Sequence, residues 1–215
     1  MKTFIFGGSG FAKEVEFYIA ECNVSSKRVI DVYSFVVIDS EYEDGLTING
    51  VKVISETEYF ASFHNLEMHN CIIAVGSPYL KYKIYNKINS KHTQFPTIIH
   101  PSVTYDHRFF KIGKGSIICA GVVLTTNIII GDFVHININS TVGHDCEIGE
   151  YSTISPGVQI SGNVMLSMNS FIGTGASVLE KISIVSDTII GAGAVVTKSI
   201  EEAGTYVGIP VKKIK

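Results

Sequence analysis

The sequence predicts a chain in two parts: a small Rossmann-like α/β sheet over residues 1–100, then an all-β parallel β-helix over residues 101–200, followed by a capping tail at 201–215. Three observations carry this expectation. Every sixth residue from Ile112 to Val196 is aliphatic, fifteen positions in succession without a break in register. Ahead of them, short apolar runs end in glycine turns and lead into segments with one apolar helical face. Between the two lies Pro96–Pro101 (PTIIHP), whose prolines suit an extended connection that neither regular structure continues through.

The six-residue period decides the second half. An α-helix repeats its apolar face every three to four residues, and a simple strand every two. A period of six fits a chain that turns a corner after each short strand and points one aliphatic inward per side. Three sides make a coil of eighteen residues, so fifteen positions give five coils of a triangular prism. At ~4.8 Å between neighbouring strands the prism is about 24 Å tall. Each coil buries its aliphatics on the coils above and below, so the solenoid is its own core. Glycine directly follows the aliphatic at Gly113, Gly131, Gly149, Gly173 and Gly191. A sandwich of short strands would not hold one register through fifteen repeats.

In the first half, Thr3 to Phe6 reads as a strand, ending in the turn Gly7-Gly8-Ser9-Gly10. Phe11, Val15, Tyr18, Ile19 and Cys22 then share one helical face. A second strand around Ser34 to Ile38 ends at Asp39, and Asn49-Gly50 marks a turn between two short extended pieces. Ser55 is placed to cap a helix opening Glu56-Thr57-Glu58. Cys71 to Val75 is a third buried strand ending at Gly76, with Leu80, Ile84 and Ile88 lining the helix after it. Such sheets take ligands outside the carboxyl ends of their strands. The Gly7–Gly10 turn, Asp39 and Gly76-Ser77 all fall there, and a glycine turn opening a helix offers bare N–H groups to a phosphate. A dinucleotide fingerprint is poorly matched: Lys13 stands where the third glycine belongs, and Asp39 lies too far along for the ribose acid. A nucleotide or nucleotide-sugar site is the better reading.

Composition narrows the classes. A net charge of −3 over 215 residues gives no electrostatic footprint for nucleic acid or anionic lipid. No apolar run is long enough to span a membrane, and the N-terminus lacks a signal-peptide cleavage pattern. Cys22, Cys71, Cys119 and Cys146 are widely spaced without a CxxC pair, so they read as buried thiols in a reducing cytoplasm. No histidine pair has metal-ligand spacing. His64, His69 and His92 lie in polar stretches that predict solvated rings, and His135 is expected to face solvent from a wall of the prism. His144 differs by its setting, two residues after inward Val142, near a corner, with Asp145 next to it. An imidazole accepts a proton near neutral pH, and a neighbouring carboxylate orients it and raises its basicity.

Several segments together carry a resemblance: FGGSGFAKEV at the start, the Asp39 strand end, AVGSPYLKYKI, IHPSV at the junction, NSTVGHDCEIGEYSTISPGVQISGNV, and the closing YVGIPVKKI. On these the chain resembles the left-handed β-helix (hexapeptide-repeat) acyltransferases, specifically the subgroup that N- or O-acetylates bacterial sugars. Members act on UDP-linked 4-amino sugars, on GDP- or dTDP-linked amino sugars, or on sialic acids. The resemblance implies an acetyl-CoA-dependent acetyltransferase of a nucleotide-linked 4-amino sugar in surface-glycan synthesis, without a metal or a covalent enzyme intermediate. His144 would be the general base and Asp145 its tuning partner. Asn137 matches a polar residue near the sugar. Ser9, Gly10, Phe11, Asp39 and Gly76 match positions around the nucleotide, although many relatives carry His where Phe11 stands. The Gly162 N–H is a candidate oxyanion donor, and Thr174 and Ala192 lie where the pantetheine arm would run. Thr153 stands where some relatives carry a second histidine contacting the cofactor.

A triangular prism has no deep pocket of its own, so the expected assembly is a C3 homotrimer with three intersubunit sites. The tail beyond Glu201 is expected to cap the open strand edges. Three competing functions are sialic acid O-acetylation, a non-catalytic hexapeptide scaffold, and a metal-dependent hydratase of similar shape. A scaffold has no need for His144 beside an acid, and a hydratase wants several convergent histidines where the coils hold only His135 and His144.

Overall fold

A computed structural model describes residues 1–25, 29–65 and 67–215. The chain divides into two compact units, one of Met1–Gly76 and Leu80–Ile98, the other of Ser77–Tyr79 and Ile99–Lys215.

The first unit is a six-stranded sheet. Its strands are β1 (Lys2–Phe6), β2 (Asp31–Val37), β3 (Thr47–Ile48), β4 (Val51–Ser55), β5 (His69–Ile73) and β6 (Thr93–Gln94), in the order β3-β4-β2-β1-β5-β6. Every pairing is parallel except the β3–β4 hairpin. That hairpin turns on Asn49 and Gly50, both with positive φ, the conformation that matches strand twist in a two-residue loop. Helices α1 (Gly10–Ser25), α2 (Glu56–Ser62) and α3 (Pro78–Ile88) connect the strands. The Ser55 hydroxyl accepts the Glu58 N–H and caps α2 as its sequence position predicts.

Two helical faces differ at their edges from the expected ones, while Val15, Tyr18, Ile19 and Ile88 are buried as expected. In α1 the buried residues are Ala12, Val15, Tyr18 and Ile19, while Phe11 and Cys22 are only half-buried. In α3, Leu80 is exposed and Lys81 is fully buried, its ammonium pKa pushed well down by burial. His69 is buried too, between Tyr59 Oη at 2.8 Å from Nε2 and the Glu67 carbonyl at 2.8 Å from Nδ1, so the solvated ring expected there is corrected.

The second unit is the triangular prism, left-handed as in the family it resembles. The fifteen aliphatics divide equally among three parallel walls: Ile112, Ile130, Ile148, Leu166 and Ile184 on wall 1; Ile118, Ile136, Ile154, Ile172 and Ile190 on wall 2; Leu124, Val142, Ile160, Val178 and Val196 on wall 3. All are buried except Ile112, which is partly so. A second column stands two residues before each of them, buried from Ser116 onward, where small side chains such as Ser140, Cys146, Ser152, Val158 and Ala176 alternate with larger ones such as Ile128 and Ile182. At Ser116, Ser140, Cys146 and Ser152 of this column the side chain stitches successive coils. Ser140 Oγ donates to the Ser155 carbonyl at 3.0 Å and accepts the Val158 N–H at 3.3 Å. Cys146 makes the same two bonds, to the Ser161 carbonyl at 3.1 Å and from Val164 N–H at 3.4 Å.

Each corner needs a residue in the left-handed region. Between walls 2 and 3 it is Gly121, Asn139, Gly157, Gly175 and Gly193; between walls 3 and 1 it is Asn127, Asp145, Asn163 and Lys181. Between walls 1 and 2, bulky Phe133 and Tyr151 adopt it and stack on each other, with ring centroids 5.3 Å apart and planes within 7°. The tail closes the open end of all three walls. Gly204–Val207 adds a parallel strand to wall 2, Ile200 bridges Ile184 of wall 1, and Val195 of wall 3 bonds to Gly208 and Val211.

Candidate active site

His144 follows strand Thr141–Val142 of wall 3 after Gly143, at the corner that leads to wall 1, and its ring lies against Gly162 of the next coil. Its side chain is 57% exposed, and Nδ1 lies 2.7 Å from Asp145 Oδ2. Asp145 takes the left-handed turn, with φ of 59°, which Asp tolerates better than most residues. Its second oxygen, Oδ1, accepts from Asn127 Nδ2 at 2.6 Å. Asn127 first, then His144, holds the Asp145 carboxyl below its ordinary range, so it is ionised at neutral pH. One coil above, the Gly162 carbonyl accepts the Lys181 N–H, and Asn163 N–H donates to the His144 carbonyl at 2.8 Å. The Gly162 N–H donates to nothing among the described hydrogen bonds. A Cβ on Gly162 would stand 2.6 Å from His144 Nε2, 2.7 Å from Cε1 and 3.0 Å from Cδ2, so the bare glycine makes room for the face of the ring.

The neighbours of the pair set its limits. Cys146 is buried and its thiol is pushed up by that burial, which leaves it a ladder residue and not a nucleophile. Beneath the corner, Thr126 Oγ1 donates to Asp106 Oδ2 at 3.2 Å, and Asp106 is held in turn by Arg108.

The other expected site residues fall elsewhere. Asn137, Thr174 and Ala192 share the corner between walls 2 and 3, one wall away from His144 in the same chain. Thr174 and Ala192 are exposed there, whereas the Asn137 side chain donates to the Ile154 carbonyl at 3.0 Å and is partly built into the coil. Thr153 is 2% exposed, flanked on wall 2 by His135 and Phe171, so the cofactor contact expected of it is not matched by a surface position. His135 is likewise buried, not solvent-facing.

In the first unit, β1 has β2 on one side and β5 on the other, which puts the topological switch point at β1/β5. Gly7 is required there: with φ of 132°, its Cβ would meet the Ala74 carbonyl at 2.7 Å. Gly10 and Gly76 face open space, and the Ser9 carbonyl accepts from Ala12 and Lys13 as α1 begins. Phe11, half-buried, stands in that first turn. Asp39 is already engaged. Its Oδ1 accepts the Thr57 N–H at 3.1 Å and its Oδ2 the Thr57 hydroxyl at 2.9 Å, bonds that lower its pKa and anchor α2.

Among the described residues no cluster of three His, Cys, Asp or Glu is placed to share a metal ion, and no helix is long and apolar enough to cross a membrane. Asn127 went unnoticed in the sequence; its signal is the spacing of one coil to Asp145.

Comparison with known proteins matches residues 2–88 to the PglD N-terminal domain and residues 127–162 to the bacterial transferase hexapeptide (six repeats). The chain is 34% identical over 180 residues to the GDP-perosamine N-acetyltransferase of Escherichia coli O157:H7, spanning 83% of this chain and 78% of that one. Its fold is similar to that of PerB from Caulobacter crescentus in complex with CoA and GDP-perosamine, with a TM-score of 0.87 and 27% identity over 100% of this chain and 98% of PerB. The acetyltransferase domain of PglB from Neisseria gonorrhoeae FA1090 in complex with acetyl coenzyme A is similar at a TM-score of 0.85 and 28% identity, covering 99% and 98%. With a parallel α/β sheet, a prism of hexapeptide coils and this degree of likeness along both, the chain belongs to the left-handed β-helix, hexapeptide-repeat family of bacterial sugar acetyltransferases.

Proposed function

We propose that the chain transfers acetyl from acetyl-CoA to the amino group of a nucleotide-linked amino sugar, a GDP-linked 4-amino sugar foremost, with His144 as general base. The observation that carries this reading is the exposed His144–Asp145 pair, 2.7 Å apart, whose ring has room to lie against the coil because position 162 is glycine. The GDP sugar is favoured by the substrates named for the Escherichia coli and Caulobacter proteins.

The reaction follows from these groups. With Nδ1–H donated to Asp145, the neutral ring presents its lone pair at Nε2. The sugar amine attacks the thioester carbonyl, forming the C–N bond, and gives its proton to Nε2. Asp145 stabilises the resulting imidazolium. The oxygen of the tetrahedral intermediate takes the Gly162 N–H. Collapse breaks the C–S bond, and the departing thiolate recovers the proton from the imidazolium, leaving the amide and free CoA. No enzyme-bound acyl group forms, in keeping with the buried thiol of Cys146. Gly10 and Gly76, open at the strand ends of the first unit, suit the nucleotide, with Ser9 and Phe11 beside them.

His144 and Asp145 stand on a convex edge and enclose nothing by themselves, so the reading includes a C3 homotrimer in which an adjacent prism supplies the facing wall. Exposed apolar side chains on the prism, among them Val123, Ile129, Ile138 and Leu179, suit such packing. The Thr174 and Ala192 corner of one subunit would then be free to meet the His144 corner of the next, around the pantetheine arm.

The test is CoA thiol release from acetyl-CoA with GDP-, UDP- and dTDP-linked 4-amino sugars and a sialic acid, run beside His144→Ala. Turnover of one nucleotide amino sugar, lost at least ~100-fold in the variant, is expected. Turnover of sialic acid alone would transfer the chain to O-acetylation, and silence with every substrate would overturn the reading.

A further inference from the structure

One residue in contact with the His144–Asp145 pair has no part in the reaction as drawn. Asn127 precedes Asp145 by one full coil, and both occupy the left-handed position of their turns, with φ of 55° and 59°. The turns stack, so the Asn127 amide nitrogen lies 2.6 Å from Asp145 Oδ1 while Asp145 Oδ2 lies 2.7 Å from His144 Nδ1. Chemistry fixes the directions. An ionised carboxylate only accepts, so both the amide and the imidazole must donate to it. The same argument orients the Asn127 amide, because its oxygen would face a like-charged oxygen if flipped. Each carboxylate oxygen therefore has one donor, and the two donors lie on opposite sides.

We propose that Asn127 is a positioning residue for His144. By tethering Oδ1 it stops the Asp145 carboxylate from turning, which keeps Oδ2 on Nδ1 and holds the ring as the tautomer with a free lone pair at Nε2. The tether matters because the pair is open to water. Side-chain exposures of 57% for His144 and 46% for Asp145 leave solvent free to compete for every donor and acceptor. Among the described hydrogen bonds the imidazole makes no other. A second-sphere donor that holds a carboxylate in this way sets the orientation and protonated nitrogen of the histidine it supports.

A purely architectural role is the competing account, and the fold contains its example. Asn169 Nδ2 donates to Asp187 Oδ1 at 3.2 Å on the corner between walls 1 and 2, one coil apart, with no histidine bonded to the carboxylate. Such stacks steady turns by themselves, so a loss of stability alone would say nothing about His144. The ring tautomer and a split between kcat and KM are readouts that a turn residue does not move.

The inference rests on His144 acting as the base, and the experiment separates the two. Two variants are compared with the wild type as full-length protein. Asn127→Gly keeps the left-handed turn, where Gly is at ease, and deletes the amide. Asn127→Asp keeps the size and replaces the donor by an acceptor. In 15N-histidine-labelled protein at a pH where the ring is neutral, His144 of the wild type is expected as the Nδ1–H tautomer and both variants as mixtures. In the thiol-release assay kcat is expected to fall about 10-fold, a fraction of what a general base contributes, with KM for acetyl-CoA and sugar within about twofold. Unchanged tautomer and unchanged kcat in both variants, whatever the melting temperature does, would overturn the proposal. Should the wild type turn over no sugar, the acetyl-transfer reading falls, and the tautomer alone still decides for or against Asn127.

Discussion

The Cα of Gly162 sits against the imidazole of His144, so closely that an added β-carbon would lie 2.6 Å from Nε2 and 2.7 Å from Cε1. Gly162 is not in the left-handed region, so its backbone accepts alanine, and the nearest atoms an added carbon meets are those of the ring. The ring yields more readily than the coil, and in yielding it leaves Asp145. Gly162→Ala is expected to fold with a melting temperature within ~4 °C of wild type and to lose about 100-fold in kcat. Calorimetry beside the thiol-release assay checks both; a variant of full activity would dismiss the fit of the ring against Gly162 as unimportant.

Cys146 adjoins Asp145 yet belongs to the stitched interior column. Ser140 and Ser152 occupy the equivalent position on the other two walls and make the same pair of bonds. Cys146→Ser is expected to keep kcat within about twofold and to change stability by less than about 1.5 kcal/mol, the net size of one hydrogen bond. Loss of turnover with retained fold would implicate the thiol in chemistry.

Asp106, at the foot of the same corner, is held by the Arg108 side chain and backbone, and its carboxyl is brought down to about 2. A depressed carboxylate stabilises the fold above its unfolded pKa, and that contribution disappears as pH falls through the folded value. The melting temperature of Asp106→Asn should therefore lie below wild type at pH 6, with the gap closing between about pH 4 and pH 2. A gap constant over that range would mean that the carboxylate charge is not what holds the segment.

Gly115 makes room for Phe133. It has φ of 65°, and a β-carbon there would run into the Phe133 ring. Gly115→Ala then combines a strained turn with an overfilled core, and about 1–3 kcal/mol should be lost, read from the urea midpoint at constant slope.

What the sequence made legible was periodic. The ladder from Ile112 to Val196 depends only on spacing, and each of its members faces the interior. The companion column two residues earlier was not legible, because its Ser, Thr, Cys, Ala, Val and Ile members have neither a common hydropathy nor a common size. Faces of short helices were read less well. Ala12 replaces Phe11 in the core of α1, and Lys81 is buried where Leu80 was expected, since the edge of a face is settled by tertiary packing that four or five apolar residues do not encode. At the candidate site, His144 and Asp145 are neighbours in the chain and were visible as such. Asn127 is their neighbour only through the coil, and Thr153 has the right position in the repeat but not the exposure.

Because every coil is the same translation of eighteen residues, a position in this half of the chain has an address made of a height and a side. Inserting eighteen residues above Gly162 would lengthen the prism and leave every side chain on its own edge. Removing six would preserve the alternation of strands and corners, yet turn everything beyond the cut by a third of a revolution. Thr174 and Ala192 would leave their edge while His144 stayed on its own. Length in such a scaffold is free to drift in whole coils, and angular phase is what selection has to guard.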